Sequence, residues 1–107
     1  GTLARADGGG LVVADAPAAG TAVLAVIARE AVAVHRDRPT GSPRNVWPGT
    51  VRELTAVGSR IRVAVVLDRA PDLVAEITPE AAAELGLGEG TAVWASVKAT
   101  EVTVVTR

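Results

Sequence analysis

The sequence predicts a mostly β fold, in which a five-stranded barrel carries one short helix and is preceded by a partial repeat of itself. Hydrophobic residues make up 49% of the 107 positions, although Phe, Tyr and Met are absent. The core must therefore be built mainly from Val, Ala, Leu and Ile, and a Val-rich composition favours sheet over helix. Residues 20–34 and 90–104 also match without gaps at seven of fifteen positions, which indicates an internal repeat.

Strand signals follow one another through the second half of the chain. Ile61, Val63, Val65 and Leu67 stand at every second position, which is the pattern of a strand with one buried face. The predicted strands are residues 46–54, 60–67, 73–77, 92–98 and 101–105.

The helix signals are concentrated between the third and fourth of these strands. Thr78 is a suitable N-cap, Pro79 fits the first helical position, Glu80 lies near the positive end of the helix dipole, and Gly86 can end the helix. Five short strands with one helix between the third and fourth is the order of an OB-fold-like barrel, in which the helix closes one end.

Residues 35–45 are polar and contain two prolines and a glycine, so we interpret them as a connector. We therefore divide the chain into a partial segment at residues 1–39 and a complete module at residues 40–107. The first segment has no counterpart to the middle of the second, so we expect it to complete or flank the barrel.

The chain lacks the usual signatures of catalysis. The glycines at 8–10 precede Leu-Val-Val, which fits a hairpin turn better than a phosphate-binding loop. With one histidine and no cysteine, a Cys/His dyad, a disulfide and a thiolate metal site are excluded. His35, in the connector, is a poor candidate for a Ser/His/Asp triad. We expect no catalysis, no resident metal and no cofactor.

The charge and hydrophobicity of the sequence also indicate which classes of partner to expect. The net charge of −1 offers no electrostatic footprint for nucleic acid, and no apolar run approaches the roughly 18 residues of a membrane span. Trp94 shares a strand face with Ser96 and Lys98, which is more typical of a subunit interface or a position under a loop than of base stacking. A nucleic-acid or carbohydrate binder of OB type stays open as an alternative.

Lys98 is the only lysine beside ten arginines. Together with Ser42, Arg44, Asn45 and Thr100 it offers two cations, hydroxyls and an amide, a set that suits a compact oxyanion. Each of these residues is also an ordinary turn or surface residue, so a solvated lysine beside a plain loop is the competing interpretation.

Four separated motifs resemble one known family. They are GSPRN at 41–45, DLVAEIT at 72–78, ELGLGEGTAV at 84–93 and VKATEV at 97–102. In order and spacing they resemble the molybdate/tungstate-binding Mop module of the TOBE superfamily over residues 41–105. Pro43 stands where many members have Ala or Gly, a change that removes no donor side chain.

The resemblance implies that modules associate and that a tetrahedral oxyanion binds between subunits of a homodimer. In the first copy Ala28 stands where Lys98 stands in the second, so we expect one functional half-site in each chain. Ser42, Arg44 and Lys98 match anion-contacting positions, Ala99 and Thr78 offer main-chain or hydroxyl donors, and Asn45 secures the loop. The expected oxyanion-binding set is Ser42, Arg44, Asn45, Thr78, Lys98 and Ala99, with molybdenum bound only as the oxyanion.

Residues 27–32, IAREAV, resemble the strand that precedes the module in ATP-binding subunits of molybdate ABC importers. The resemblance implies a cytoplasmic C-terminal regulatory domain, here apart from its nucleotide-binding domain, whose parent would work with a permease and hydrolyse ATP. A stand-alone molybdate storage protein is the alternative. Molybdate and tungstate are not distinguished by these residues.

Overall fold

A computed structural model describes residues 2–4, 10–14, 18–41, 43, 45–68 and 70–106 of the chain. These residues form nine β-strands, one α-helix and two 3₁₀ turns. In chain order they are β1 (Thr2–Ala4), β2 (Gly10–Val12), β3 (Val23–Ile27), η1 (Arg29–Ala31), β4 (Ala33–His35), β5 (Asn45–Val57), β6 (Arg60–Leu67), β7 (Leu73–Ile77), α1 (Pro79–Leu85), β8 (Ala92–Val97), η2 (Ala99–Glu101) and β9 (Val102–Thr106).

The described strands form three antiparallel sheets. A five-stranded sheet has the order β4-β8-β5-β6-β7, while β1 pairs with β2 and β3 pairs with β9. The turn η1, which comes just before the edge strand β4, lies against β7 at the opposite edge. The five-stranded sheet is therefore curled, as expected for a small barrel, and the first segment helps to complete it.

The long strand β5 connects the two halves of the curled sheet. Its first residues pair with β8 and its later ones with β6, and Gly49 faces both Val93 and Leu67. A side chain at Gly49 would begin only 2.6 Å from the Val66 carbonyl oxygen, so only glycine fits where the strands come so close. A bulge after Val51 then adds to the local twist.

The internal repeat is confirmed in the backbone. The sequence β3-η1-β4 recurs as β8-η2-β9 at an offset of 70 residues, as from Gly20 to Gly90. These two glycines have φ angles of 87° and 86°, a left-handed conformation that other residues rarely adopt. Ala28 and Lys98, which precede the two 3₁₀ turns, also have nearly equal backbone angles (φ −67°, ψ 145° and φ −70°, ψ 141°).

The two copies exchange strands with a symmetric register. Strand β3 of the first copy pairs with β9 of the second, and β8 of the second pairs with β4 of the first. Adding 70 to the first residue of a pair and subtracting 70 from its partner converts one ladder into the other. Thus Leu24–Val105, Ala25–Val104 and Val26–Thr103 correspond to Trp94–His35, Ala95–Val34 and Ser96–Ala33.

The core is built from small branched side chains, as the composition predicts. Alternate residues of β6 are buried, which confirms the period-two pattern, and β8 contributes buried residues from the middle of the sheet. The residues at most 2% exposed in these strands are Val63, Val65, Val93, Ala95, Ser96 and Val97.

The predicted helix signals are confirmed at α1. The hydroxyl oxygen of Thr78 accepts a hydrogen bond from the N–H of Ala81 at 3.1 Å, and Pro79 occupies the first helical position. Gly86 ends the helix in the left-handed conformation, with φ 62°.

Strand pairing corrects one detail of the prediction. Residues 101–105 were expected as the closing strand of the barrel, but β9 pairs with β3, and β4 takes the fifth place in the curled sheet. The two copies have nearly equivalent strands, so local pattern does not reveal which copy pairs with which. His35 consequently belongs to β4 and not to the connector.

Candidate anion-binding site

Lys98 lies directly after β8, at the N-cap of η2, and its side chain is exposed. It lines a cleft of about 420 Å³ between the two copies. Its lining residues from the first copy lie in η1 and β4 and include Ala28, the N-cap of η1 and the counterpart of Lys98. Those from the second copy lie in the neighbouring strand β8 and in η2, and Pro43 of the connector completes the lining.

The position of Pro43 links the connector to the lysine. Ser42 and Arg44, the two predicted anion contacts of the connector, lie outside the described residues. They are the chain neighbours of Pro43, which lines the same cleft as Lys98. The fold thus brings the connector motif and the closing-strand motif together although they are more than fifty residues apart in the sequence.

Carboxylates also face this cleft. Glu30 of η1 and Glu101 of η2 are exposed and line it, whereas Lys98 is the cation among the described lining residues. An anion in the cleft would therefore need a second cation to offset the two carboxylates. Arg44, beside Pro43 in the chain, is the residue type required.

Asn45 has a positioning role in this structure. Its side-chain oxygen accepts a hydrogen bond from the N–H of Val12 at 2.7 Å, and its amide group donates to the carbonyls of Val12 at 2.8 Å and Val97 at 3.3 Å. Asn45 is 4% exposed, and both amide hydrogens are already donated. It therefore fastens the end of β2 to the end of β8.

The other two predicted donors differ in their placement. Ala99 follows Lys98 directly, and its carbonyl accepts from the N–H of Ala14 at 3.3 Å. Thr78 lies at the start of α1, where its hydroxyl oxygen serves as the helix cap. Within a single chain, Lys98 and Ala99 therefore lie together at the start of η2, whereas Thr78 lies apart from them at the start of α1.

Two connector arginines hold the chain between β4 and β5 in place. The Arg36 guanidinium donates to the carbonyl of Leu85 at the end of α1, at 2.7 Å. The guanidinium carbon of Arg38 lies 5.0 Å from the centre of the Trp94 ring, within the range of a cation–π contact. Trp94 therefore lies under the connector loop. This is one of the two environments expected for it, the other being a subunit interface.

Sequence reasoning missed one feature of the cleft. The His35 Nε2 and Ser96 Oγ atoms are 2.8 Å apart, and both residues line the cleft. The sequence pattern places His35 in the connector and Ser96 on a strand face with Trp94 and Lys98, and it does not connect the two residues. No local signal in the sequence gives this contact, because it depends on the pairing of β4 with β8 across the two copies.

In the described part of the chain, no group of three or more His, Cys, Asp or Glu side chains is placed to hold a metal ion. No helix among those residues is both long and apolar enough to cross a bilayer.

Comparison with known proteins identifies the family. A sequence model of the TOBE domain matches residues 41–104. Two curated relatives, the molybdenum import ATP-binding protein ModC from Mycobacterium tuberculosis strains CDC 1551 / Oshkosh and ATCC 25618 / H37Rv, are each 43% identical over 95 residues. That alignment covers 87% of this chain but only 26% of either relative, so the chain spans about a quarter of their length.

A solved structure agrees with this. The cytoplasmic molybdate-binding protein ModG, crystallised with molybdate bound, superposes with a TM-score of 0.77 at 31% identity, over 85% of this chain and 66% of that one. The resemblance drawn from the four motifs is thereby confirmed, and the chain belongs to the TOBE domain family.

Proposed function

We propose that this domain binds molybdate or tungstate at the cleft beside Lys98. The observation that carries the proposal is that Lys98 and Pro43, the residue between Ser42 and Arg44, line one cleft. The molybdate bound to the ModG structure and the role of the ModC relatives in molybdenum import support this choice of ligand. In the proposed site, Arg44 and Lys98 supply charge, Ser42 a hydroxyl, and Ala99 its main-chain N–H.

We assign this binding to regulation of a molybdate importer. The ModC relatives support a role as the regulatory domain of an ATP-binding subunit, on the cytoplasmic side of an importer with a permease. Regulation requires that the oxyanion bind one arrangement of the domains more tightly than another. The chain itself is not expected to catalyse a reaction.

The homodimer is part of the same proposal. Leu24, Val26 and Val105 are 46–47% exposed on the pair of strands β3 and β9, and Leu24 faces Val105 directly. Neighbouring apolar side chains exposed in this way are typical of interaction surfaces. In the proposed homodimer, Thr78 would reach the oxyanion from the partner chain, because within one chain it is not among the residues that line the cleft beside Lys98.

Isothermal titration of molybdate, tungstate and sulfate into the purified domain tests the ligand. We expect heat from the first two at equal conditions and little from sulfate, with light scattering in the same buffer reporting a dimer. A Leu24→Glu variant should then shift the scattering towards monomer, whereas Glu84→Gln, a change on the exposed face of α1, should not. Absence of heat from molybdate and tungstate would overturn the proposal.

A storage or buffering protein is the second candidate, favoured by the match to ModG. The two candidates differ in what the gene encodes beside this domain. Sequencing the complete reading frame decides between them: an attached ATP-binding domain supports regulation of the importer, and its absence supports storage.

A further inference from the structure

The lining of the cleft includes a histidine and a serine that the proposed ligand set does not use. His35 ends β4, Ser96 lies on β8, and the imidazole Nε2 is 2.8 Å from the serine Oγ. Ser96 is 2% exposed, yet it lines the cleft together with His35 and Lys98. A buried hydroxyl is thus held by a titratable ring within the same cleft as the chain's only lysine.

The direction of this hydrogen bond depends on the charge of the imidazole. In a neutral ring Nε2 either accepts the serine hydrogen or donates its own, according to the tautomer. In an imidazolium both ring nitrogens carry hydrogens, so Nε2 must donate and Ser96 Oγ must accept. Protonation of His35 therefore adds a positive charge to the cleft. It also fixes Ser96 Oγ as the acceptor from Nε2, so the serine hydrogen can be donated elsewhere.

Charged groups around His35 come from each neighbouring element. Glu30 of η1, Glu101 of η2 and Lys98 after β8 line the cleft with it. In the connector, Arg36 is engaged with the end of α1 and Arg38 with Trp94, while Asp37 is exposed. On the sheet, the residues paired with His35 and Ser96 are Trp94, Ala33 and Val46.

We propose that His35 and Ser96 form a proton-linked part of the oxyanion site, in which the imidazolium and the serine hydroxyl favour the bound dianion. The proposal rests on the oxyanion function proposed above and adds two residues and a pH dependence to it. A dianion bound in the cleft beside the ring would favour the imidazolium over the neutral imidazole. Binding of the anion and protonation of His35 should therefore strengthen each other.

The sign of the effect follows from this coupling. Histidine changes charge between about pH 5 and pH 8, so the affinity for molybdate should rise as the pH falls through that range. Molybdate itself stays a dianion over the upper part of the range. We expect affinity to increase about tenfold between about pH 8 and about pH 6, the scale of one hydrogen bond to a charged group. The coupling is reciprocal, so saturating molybdate should raise the midpoint of the His35 titration by about one pH unit.

Proton NMR on the wild-type domain tests the proposal directly. His35 is the only histidine in the chain, so its ring signal titrates without overlap from another imidazole. The experiment follows that signal from about pH 8 to about pH 6, with and without saturating molybdate. A higher midpoint with molybdate supports the proposal, and an equal midpoint with molybdate demonstrably bound overturns it.

Calorimetry on two variants supplies the second test. His35→Gln keeps a hydrogen-bonding side chain beside Ser96 but cannot take up a proton, so its molybdate affinity should hardly change with pH. Ser96→Ala keeps the imidazole and should retain most of the pH dependence at a lower affinity. A wild-type pH dependence that persists unchanged in a folded His35→Gln variant would refute the role of His35. Absence of heat at every pH would instead refute the oxyanion function, and this proposal with it.

Discussion

Residues 20–34 and 90–104 share a backbone but have different surroundings and different chemistry. Both contain a glycine near φ 87°, a strand, and a 3₁₀ turn entered with the same backbone angles. Strand β8 lies between β4 and β5 in the curled sheet, whereas β3 belongs to a two-stranded sheet with β9. At the matching position before each turn, one copy has Lys98 and the other Ala28. The backbone fold is thus repeated, whereas the positive charge before the 3₁₀ turn is present only in the second copy.

The difference suggests how a site arises within a repeat. Gly, Val and Ala at shared positions specify the turn, the strand and the buried face in both copies. Lys98, the proposed anion-binding side chain of this repeat, stands at a position where the backbone requires no particular residue, since Ala28 occupies it in the first copy. Variants at matched positions of the two copies can therefore separate contributions to folding from contributions to binding.

The largest expected loss of stability is at Asn45, which fastens the second copy and has no counterpart in the first. Asn45→Ala would leave the N–H and carbonyl of Val12 without their partner, as well as weakening the contact to Val97. We expect the free energy of unfolding to fall by about 3 kcal/mol, near the upper end for buried groups left unsatisfied. Urea denaturation measures it. Thr50→Ala, at an exposed site on the same strand, should cost less than about 0.5 kcal/mol.

Matched valines in the two copies should differ in their cost. Val93 is 2% exposed in the middle of the curled sheet, whereas its counterpart Val23 is only half-buried. Val93→Ala should lower the free energy of unfolding by about 2 kcal/mol, and Val23→Ala by less than about 1 kcal/mol. Thermal and urea unfolding of the pair measures both values. Equal losses would mean that the two copies are equally buried in solution.

A lysine placed in the first copy should strengthen binding. Ala28 lines the same cleft as Lys98, so Ala28→Lys adds a second ammonium near the proposed oxyanion. Because exposed charges are screened by solvent and salt, we expect a gain of only about threefold in molybdate affinity, weakening at high salt. Ala83→Lys, on the exposed side of α1, adds the same charge away from the cleft and should leave the affinity unchanged.

The smallest effect is expected at Glu101, whose counterpart in the first copy is Ala31. Its exposed carboxylate lines the cleft and should repel an oxyanion weakly. Glu101→Gln should raise molybdate affinity about twofold by calorimetry, since exposed charges contribute little. Lower affinity in this variant would show that the carboxylate helps to position a ligand and does not oppose it.

The sequence predicted features that depend on neighbouring residues. The alternation from Ile61 to Leu67, the cap at Thr78 and the repeated glycines all act locally, and the structure has each of them. The family motifs predicted the module that the TOBE match confirms at residues 41–104.

The pairing of strands that are distant in the sequence was harder to predict. Which copy supplies the partner of β8 and β9 depends on tertiary packing, because the two copies have nearly the same strand pattern. The contact between His35 and Ser96 follows from that pairing and spans 61 residues. Asn45 looked like an ordinary turn residue, and only the position of Val12 shows why an amide is needed there.

Titration of molybdate into Lys98→Ala, compared with wild type and with Arg60→Ala, tests the central claim most directly. Arg60 is an exposed cation at the start of β6, away from the cleft, so it controls for the loss of one positive charge. The claim is that Lys98 gives the second copy of the repeat its ability to bind the oxyanion, whereas the first copy only supports the fold. Removal of the lysine side chain should then weaken molybdate binding at least about tenfold and leave the melting temperature unchanged. Arg60→Ala should bind within about twofold of wild type. Wild-type affinity in a folded Lys98→Ala variant would contradict the claim and leave Lys98 a solvated surface residue.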